Sequence, residues 1–160
     1  MDTAITLAEK IGNVLKAKGW KLCIAESCTG GLLGGFITSI PGASEYFDRG
    51  FITYSNEAKT ELLDVPPEDI ATFGAVSDVV AKKMAEGALK RSQAHVSVSI
   101  TGIAGPTGGT PHKPVGTVYI ACATPKGTRV EHFKFEGGRE EIRRKSVEAA
   151  LGLLWEEIQT

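Results

Sequence analysis

The amino-acid sequence predicts a three-layer α/β/α sandwich built on a mixed, mostly parallel β-sheet. Three observations support this fold class. Segments with helical periodicity alternate with short apolar segments typical of buried strands, which is the order found in α/β proteins. The last two strand-like segments flank a Pro-Lys-Gly turn instead, which predicts an antiparallel hairpin. The chain has 160 residues, 42% of them hydrophobic, so we expect one domain over residues 1–160 with a substantial core.

The first half of the chain contains two helix-strand units and the start of a third helix. Apolar residues recur at three- and four-residue intervals through residues 4–18, which predicts an amphipathic helix that stops at Gly19. "WKLCIA" is predicted to be a short buried strand, and "GGLLGGFITSI" a glycine-rich helix that ends before Pro41. "RGFITY" predicts the second strand, after which Ser55 or Asn56 is suited to cap the next helix.

The second half begins with "VPPEDI", which predicts a turn into a short helix. Ser77 is a strong helix start, and the following "DVVAKKMAEGALKRSQ" carries Val80, Met84 and Ala88 on its predicted inner face. "HVSVSIT" alternates as a strand does, and "VGTVYIACAT" and "TRVEHFKF" are the predicted hairpin strands. Residues 139–158 are predicted to form the closing helix.

Composition excludes several classes of function. The formal net charge is -1, so no overall field attracts nucleic acid or an acidic membrane. No apolar run approaches the roughly 18 residues that a membrane span needs, and the N-terminal segment is unlike a secretory signal. Cys23, Cys28 and Cys122 are odd in number and lack CxxC spacing, so neither a disulfide framework nor a zinc site is indicated. We therefore expect a cytoplasmic protein without nucleic-acid or membrane partners.

Three polar segments, each of which contains glycine or lysine, directly follow predicted strands. They are "ESCTGG" (26–31), "YSNEAK" (54–59) and "TGIAGPTGGTPHKPVG" (101–116). In open α/β sheets, ligands bind beyond the carboxyl ends of the strands. We therefore expect the three segments to meet at a common pocket.

The first of these segments has two interpretations. Serine and threonine cap helices routinely, so "ESCTGG" is consistent with a helix N-cap. One cap suffices, however, whereas this segment offers a carboxylate, two hydroxyls and a thiol. Ser27 at a helix N-terminus would also lie near amides able to stabilise an oxyanion. Ser27 is therefore a candidate nucleophile, and Cys28 is the alternative.

The second segment supplies a candidate base. Lys59 would be solvated in an ordinary strand-to-helix joint, but Ser-Lys pairs can activate a hydroxyl without histidine. The reference pKa of lysine is about 10.4, so Lys59 serves as a base near neutral pH only if burial or positive neighbours lower its pKa. None of the three histidines lies in a segment shaped like a Ser-His-Asp triad.

The third segment is a candidate anion-binding loop. It interleaves threonines with glycines, and it exceeds the roughly 12 residues beyond which loops in compact domains are usually functional or disordered. Its prolines, Pro106 and Pro114, argue against disorder. It is not a P-loop, because no GxxxxGK[ST] pattern occurs. Lys113 is either a point charge for a phosphate or a solvated side chain.

Four ordered motifs, "AESCTGG", "RGFITYSNEAK", "GAVS" and "SITGIAGPTGGTPHKPVGTVY", closely resemble the C-terminal domain of the CinA (competence/damage-inducible protein) family. The resemblance runs from the first helix to "REEIRRKS", nearly the whole chain. Stand-alone members of this kind are nicotinamide-nucleotide amidases. The resemblance implies hydrolysis of nicotinamide mononucleotide to nicotinic acid mononucleotide and ammonia in pyridine-nucleotide recycling. It also implies a mixed-sheet α/β/α fold, no metal or other cofactor, and a homodimer.

The same resemblance assigns residues to roles. It makes Ser27 the nucleophile, Lys59 its proton acceptor and Tyr54 a third catalytic residue that stacks on the pyridine ring or bonds the Ser-Lys pair. Arg143 is preferred to Arg139 and Arg144 as the functional arginine of the C-terminal helix. Thr101, Thr107 or Arg143 is expected near the phosphate. The predicted substrate-binding residues are Glu26, Cys28, Thr29, Gly30, Gly31, Asn56, Thr101, Gly102, Gly105, Thr107, Gly108 and Arg143. Amides of Cys28, Thr29 or the 102–105 loop are expected to hold the oxyanion.

An alternative function is a nucleotide-binding module without catalysis, linked to competence or the DNA-damage response. Such a module would be stabilised by its ligand without forming product. The presence of Ser27 together with Lys59 favours the enzyme, because a pure binder needs neither.

Overall fold

The computed structural model describes residues 2–159, and five strands form one sheet at its centre. The strands are β1 (Leu22–Glu26), β2 (Phe47–Ile52), β3 (Val96–Gly102), β4 (Thr117–Thr124) and β5 (Gly127–Lys134). Their order across the sheet is β2-β1-β3-β4-β5. β1 pairs in parallel with β2 and β3, whereas β4 is antiparallel to both of its neighbours. The predicted mixed, mostly parallel sheet with a terminal hairpin is confirmed.

Helices cover both faces of the sheet. They are α1 (Thr3–Lys18), α2 (Leu32–Thr38), α3 (Asn56–Leu63), α4 (Pro67–Phe73), α5 (Asp78–Lys90) and α6 (Arg139–Ile158). α1, α2 and α6 enclose the larger apolar core with one face of the sheet. On the other face, α3 and α5 close one smaller core, and α5 closes a second. The three layers of the predicted sandwich are therefore present. No helix within residues 2–159 is long and apolar enough to cross a bilayer.

Local capping explains where the helices begin. The Ser55 hydroxyl accepts the amide hydrogen of Ala58 at 3.0 Å, so Ser55 rather than Asn56 caps α3. Ser77 caps α5 in the same way, with the amide nitrogen of Val80 at 3.2 Å, as predicted. Gly19 ends α1 in the left-handed conformation, at φ 67°, which glycine adopts at little cost.

The second strand differs from its prediction by two residues at each end. "RGFITY" predicts a strand over 49–54, whereas β2 runs from Phe47 to Ile52. The amide of Thr53 donates the last bond to β1, at the Glu26 carbonyl, 2.8 Å away. Beyond Glu26 the neighbouring chain leaves the sheet, so Tyr54 has no strand to pair with. Thr53 and Tyr54 thereby become part of the loop at the sheet edge.

Polar alternation in β3 does not mark a solvent face. Ser97 and Ser99 are fully buried, and their hydroxyls donate to the Ala85 and Ala81 carbonyls of α5, each at 2.6 Å. These bonds satisfy the hydroxyls where α5 covers the sheet.

The end of α3 packs closely against α5. At Gly87 of α5, an added Cβ would lie only 1.9 Å from the Leu63 carbonyl oxygen. This close crossing holds the end of α3 against α5.

Candidate active site

Ser27 is the first residue beyond the central strand β1. Its side chain is buried, and its amide donates to the Ile100 carbonyl of β3 at 3.0 Å. The Ser27 carbonyl accepts the amide hydrogen of Gly30 at 3.1 Å, which closes a tight turn before α2. Two strands and a turn therefore hold the hydroxyl at the carboxyl edge of the sheet, where ligands bind in this class of fold.

Lys59 reaches this hydroxyl from α3. Its side chain is 1% exposed, and its Nζ lies 3.0 Å from Ser27 Oγ. Nζ also donates to the Thr53 carbonyl at 2.8 Å and the Tyr54 carbonyl at 3.3 Å. No carboxylate is among these partners, so burial lowers the pKa of Lys59 from its ordinary 10.5 to about 8. Roughly a tenth of the amine is thus uncharged at pH 7, far more than at the ordinary pKa of lysine.

The geometry suits proton transfer from the hydroxyl to the amine. An uncharged Nζ has two N–H groups for the Thr53 and Tyr54 carbonyls and a lone pair for the Ser27 hydroxyl. Cys28, the alternative nucleophile, is also buried, and burial raises the pKa of its thiol to about 11. The thiol is therefore protonated and weakly nucleophilic at neutral pH. The structure favours Ser27 over Cys28.

Glu26 caps α2 from inside the protein. Its carboxylate is 1% exposed. It accepts the Thr29 hydroxyl at 2.6 Å and the amides of Gly31, Leu33 and Gly34 at 3.2, 3.0 and 3.0 Å. The cap and the candidate nucleophile of "ESCTGG" are therefore different residues. Glu26 and Thr29 form the cap, while Ser27 faces the cavity described below.

We expect Glu26→Gln to lower the free energy of unfolding by about 2 kcal/mol, because charged acceptors contribute more than neutral ones and one Gln oxygen cannot replace two. Urea unfolding at pH 7 measures this change. Glu45→Gln is the matched control, since the Glu45 side chain is 65% exposed and forms a surface ion pair with Lys16. Equal losses in the two variants would contradict the capping role.

A cavity of about 300 Å³ lies at this edge of the sheet, in front of Ser27 and Lys59. All three polar segments contribute to it, as predicted from their positions after strands. The residues singled out from the sequence that line it are Ser27, Cys28, Tyr54, Asn56, Lys59, Thr101, Gly102, Gly105, Thr107 and Gly108. Arg139 puts a cationic side chain on its wall, protonated Lys59 adds a second, and no carboxylate is among the lining residues that the structure describes. The cavity therefore suits an anionic ligand.

The other predicted binding residues lie outside the cavity wall. They are Glu26, Thr29, Gly30, Gly31 and Arg143. Thr29 is engaged with Glu26, and the two glycines form the turn into α2 at φ 57° and 107°, a backbone region that favours glycine.

The choice among the three arginines of α6 requires a correction. Arg139, not Arg143, lines the cavity, and its guanidinium donates to the Gly105 carbonyl at 2.7 Å and to the Tyr54 hydroxyl at 3.2 Å. Arg144 instead pairs with Asp2. The reason is the direction of α6, whose first turn faces the cavity while the next turn lies behind the Ser27 loop.

Tyr54 uses its backbone and its side chain for different partners. Its carbonyl accepts from Lys59, whereas its hydroxyl accepts from Arg139, and the residue is 62% exposed. The hydroxyl is therefore not bonded to the Ser-Lys pair. Of the two roles left open by the sequence, the geometry favours stacking of the ring.

Sequence reasoning missed Ala75 and Val76 of the wall, and it considered Ile103 and Ala104 only as part of the 102–105 loop. Ala75 and Val76 lie in "GAVS", a motif that was recognised without any role for its residues. The Thr101 hydroxyl donates to the Ala75 carbonyl at 2.8 Å and so ties this motif to β3. Lys113 was a candidate phosphate ligand. In the structure it donates to the Phe73 carbonyl at 2.5 Å and connects the 101–116 segment to α4.

Comparisons with known proteins show the family and the fold of the chain. Residues 4–158 match the family model described as the CinA C-terminal domain. A CinA-like protein of Syntrophobacter fumaroxidans is 56% identical over 93% of this chain, which covers 35% of that protein. The chain spans about a third of the length of that relative and of two further similar ones.

Two other relatives match over most of their own length. The nicotinamide-nucleotide amidohydrolase PncC of Escherichia coli K12 is 49% identical, over 94% of this chain and 92% of that protein. The crystal structure of the competence/damage inducible protein CihA from Agrobacterium tumefaciens superposes with a TM-score of 0.96 at 42% identity. It covers 100% of this chain and 98% of its own.

Proposed function

This chain belongs to the CinA C-terminal domain family, and on that premise we propose that it is an amidohydrolase acting on nicotinamide mononucleotide. The products are nicotinic acid mononucleotide and ammonia, a step of pyridine-nucleotide recycling. One observation carries the proposal: the buried amine of Lys59 lies 3.0 Å from the Ser27 hydroxyl at the cavity wall. A relative of matching length named nicotinamide-nucleotide amidohydrolase supports the same substrate.

The first half of the reaction forms an ester. Uncharged Lys59 takes the Ser27 proton while Oγ attacks the carboxamide carbon of the substrate, and the carbonyl oxygen becomes an oxyanion. The ammonium of Lys59 then donates that proton to the amide nitrogen. The carbon–nitrogen bond breaks, ammonia leaves, and the nicotinoyl group remains on Ser27 as an ester.

The second half releases the acid. Lys59, uncharged again, takes a proton from a water molecule whose oxygen attacks the ester carbon. The bond to Oγ breaks, Lys59 returns the proton to Ser27, and the product leaves as nicotinic acid mononucleotide. Backbone amides beside Ser27 stabilise the oxyanion in both halves.

The rest of the cavity holds the nucleotide. Arg139 is the cation at the exposed rim and pairs with the phosphate, while the ring of Tyr54 stacks on the pyridine. Gly102, Gly105 and Gly108 admit the substrate close to the backbone of the long loop.

The direct test is ammonia release from nicotinamide mononucleotide by the purified protein. Release with saturation kinetics supports the enzyme. A nucleotide that raises the unfolding temperature without any product would instead support the binding module. The homodimer implied by the family resemblance and the cytoplasmic location expected from the composition stay predictions.

The proposal also predicts how the rate depends on pH. We expect kcat/KM to rise about tenfold per pH unit below about pH 8 and then to level off, because only the uncharged form of Lys59 accepts the Ser27 proton. Initial rates from pH 6 to 9.5 at constant ionic strength measure this profile. The thiol of Cys28 does not ionise until about pH 11, so it does not contribute to the rise. A rate constant that is flat across this range would contradict the role of Lys59.

A further inference from the structure

The buried amine of Lys59 has no counter-charge in the protein. Four oxygen atoms lie within 3.5 Å of its Nζ, namely Ser27 Oγ and the carbonyls of Thr53, Tyr54 and Ser55. All four are neutral, and no carboxylate of the described residues contacts Nζ or lines the cavity. When Lys59 is protonated, it is therefore a buried cation whose charge no neighbour balances.

The other ionisable side chains of the cavity wall do not supply that counter-charge. The Cys28 thiol lies in the loop after β1, and burial raises its pKa to about 11, so it is neutral at pH 7. Arg139 is a cation, and it donates to the Tyr54 hydroxyl at 3.2 Å. The parts of the wall that residues 75–76 and 101–108 form carry no ionisable side chain.

The elements packed around α3 bring no carboxylate to Nζ within residues 2–159. The Glu26 carboxylate is bonded to the amides of α2. Glu57 and Glu61 of α3 are exposed. α4 and α5 contribute apolar side chains to the core that they share with α3, among them Ile70, Val80 and Met84. A ligand in the cavity is thus the group that can pair with Lys59.

The proposed reaction forms a carboxyl group at this point. The acyl carbon is bonded to Ser27 Oγ in the ester, and Nζ lies 3.0 Å from Oγ, so the acid released by water forms beside Nζ. Carboxyl groups have a reference pKa of about 4, far below the pKa of about 8 for the amine. The proton passes from the carboxyl oxygen to Nζ, and turnover ends as a carboxylate beside an ammonium.

We propose that the site binds its acid product more tightly than its amide substrate, because the product carboxylate is the counter-charge that Lys59 lacks, and that the product thereby inhibits the enzyme. The inference rests on the proposed amidohydrolase function, since that reaction supplies the carboxylate. Folding has already removed Lys59 from water, so only the carboxylate loses hydration on binding. The phosphate, ribose and pyridinium are common to both ligands and cancel in the comparison.

Product binding is then coupled to the uptake of a proton. An opposite charge within about 4–6 Å favours the charged form, so the bound carboxylate raises the pKa of Lys59 above its value of about 8 in the free protein. The product binds the protonated form, and its affinity falls as the pH rises through that value. We expect its dissociation constant to rise roughly ten- to thirtyfold from pH 7 to pH 9.5. The amide carries no charge at this position, so its affinity is not expected to fall.

The test compares the two ligands in Ser27→Ala, which is expected to bind them without turnover. Isothermal titration calorimetry gives the dissociation constants of nicotinamide mononucleotide and nicotinic acid mononucleotide at pH 7 and pH 9.5. We expect the acid to bind at least about tenfold more tightly at pH 7 and to lose most of this preference at pH 9.5. Titrations at pH 8 in two buffers of different ionisation enthalpy should show uptake of about half a proton with the acid and no uptake with the amide.

Two further variants in the Ser27→Ala background identify the group that pairs with the acid. Lys59→Met is expected to abolish the proton uptake and the pH dependence, whereas Lys82→Met, which removes an exposed amine of α5, is expected to keep both. The proton uptake of Ser27→Ala alone decides if the Lys59 variant does not fold. Equal affinities at pH 7 would overturn the inference. A preference that persists at pH 9.5 would also overturn it, because that result would assign the effect to Arg139, whose guanidinium stays charged.

Kinetics of the unaltered protein separate the inference from the proposed function. Added nicotinic acid mononucleotide should inhibit ammonia release competitively, with an inhibition constant below KM at pH 7 that rises with pH. Ammonia release without such inhibition would keep the function and remove the inference. A preference for the acid that depends on Lys59, without any ammonia release, would keep the carboxylate site and remove the function. Binding of neither ligand would remove both.

Discussion

Ser27→Ala is expected to lower kcat for ammonia release by at least about 10³-fold, because no other group at the cavity is placed to form the ester. Oγ is the atom that Lys59 Nζ contacts at 3.0 Å, and alanine removes it while leaving the backbone turn unchanged. Steady-state ammonia release measures the loss. Binding is expected to survive, so the nucleotide should still raise the unfolding temperature of the variant.

Cys28→Ala provides the comparison for this prediction. The neighbouring thiol also lines the cavity, but its pKa of about 11 keeps it protonated. We expect the variant to lose less than about tenfold in kcat, through altered packing alone. A Cys28→Ala variant as inactive as Ser27→Ala would make the thiol essential, and a Ser27→Ala variant with near-normal turnover would remove Ser27 from the mechanism.

Lys59→Met is expected to have the second large effect, a loss of roughly 10³-fold in kcat. Methionine has nearly the same length and fills the buried site but cannot accept a proton. Lys82→Met is a matched control because Lys82 is exposed on α5 and does not line the cavity, and we expect it to retain full activity. Ammonia release measures both variants. Substantial turnover in Lys59→Met would show that another group takes the Ser27 proton.

The same substitution is expected to stabilise the fold at pH 7. Folding lowers the pKa of Lys59 from 10.5 to about 8, so the unfolded chain binds more protons between these values. Stability contributed by this group therefore rises with pH over that range, and at pH 7 charging it costs roughly 3 kcal/mol. Losing its bonds to the Thr53 and Tyr54 carbonyls offsets part of the gain, which leaves about 1–2 kcal/mol.

Urea unfolding of both proteins at pH 7 and pH 10 measures this effect. The advantage of Lys59→Met over the unaltered protein should shrink at pH 10, because the amine is then largely uncharged in the folded state. A variant that is less stable than the unaltered protein at pH 7 would contradict the cost assigned to the buried amine. Activity and stability thus depend on Lys59 in opposite directions.

Elements with strong local signals were predicted closely. The closing helix, predicted over 139–158, is Arg139–Ile158 in the structure, and the hairpin turns at the predicted Pro125-Lys126-Gly127. Apolar periodicity and turn residues depend on neighbours within a few positions, so the sequence displays them directly. The predicted bounds of β2 lay two residues too far along the chain. The ends of this strand are set by the length of β1, a partner distant in sequence. The fold class and the family resemblance are confirmed.

The candidate site was predicted as a set of segments rather than as a geometry. The motifs identified Ser27 and Lys59 and the cavity that they share. They did not separate the cap residue Glu26 from the hydroxyl beside it, nor Arg139 from Arg143. Both distinctions depend on which way a side chain points once α2 and α6 have packed against the sheet.

The sequence by itself determined the order of helices and strands, the family, and the polar segments that follow the strands. These properties depend on short-range patterns and on the spacing of motifs. Only the tertiary structure decided that Lys59 Nζ lies beside Ser27 Oγ, that its pKa falls to about 8, and that Arg139 reaches the cavity while Arg143 supports the loop behind it. The physical reason is that distance and desolvation are created by packing of chain segments far apart in sequence, and a lysine loses its water only when the sheet and α3 close around it.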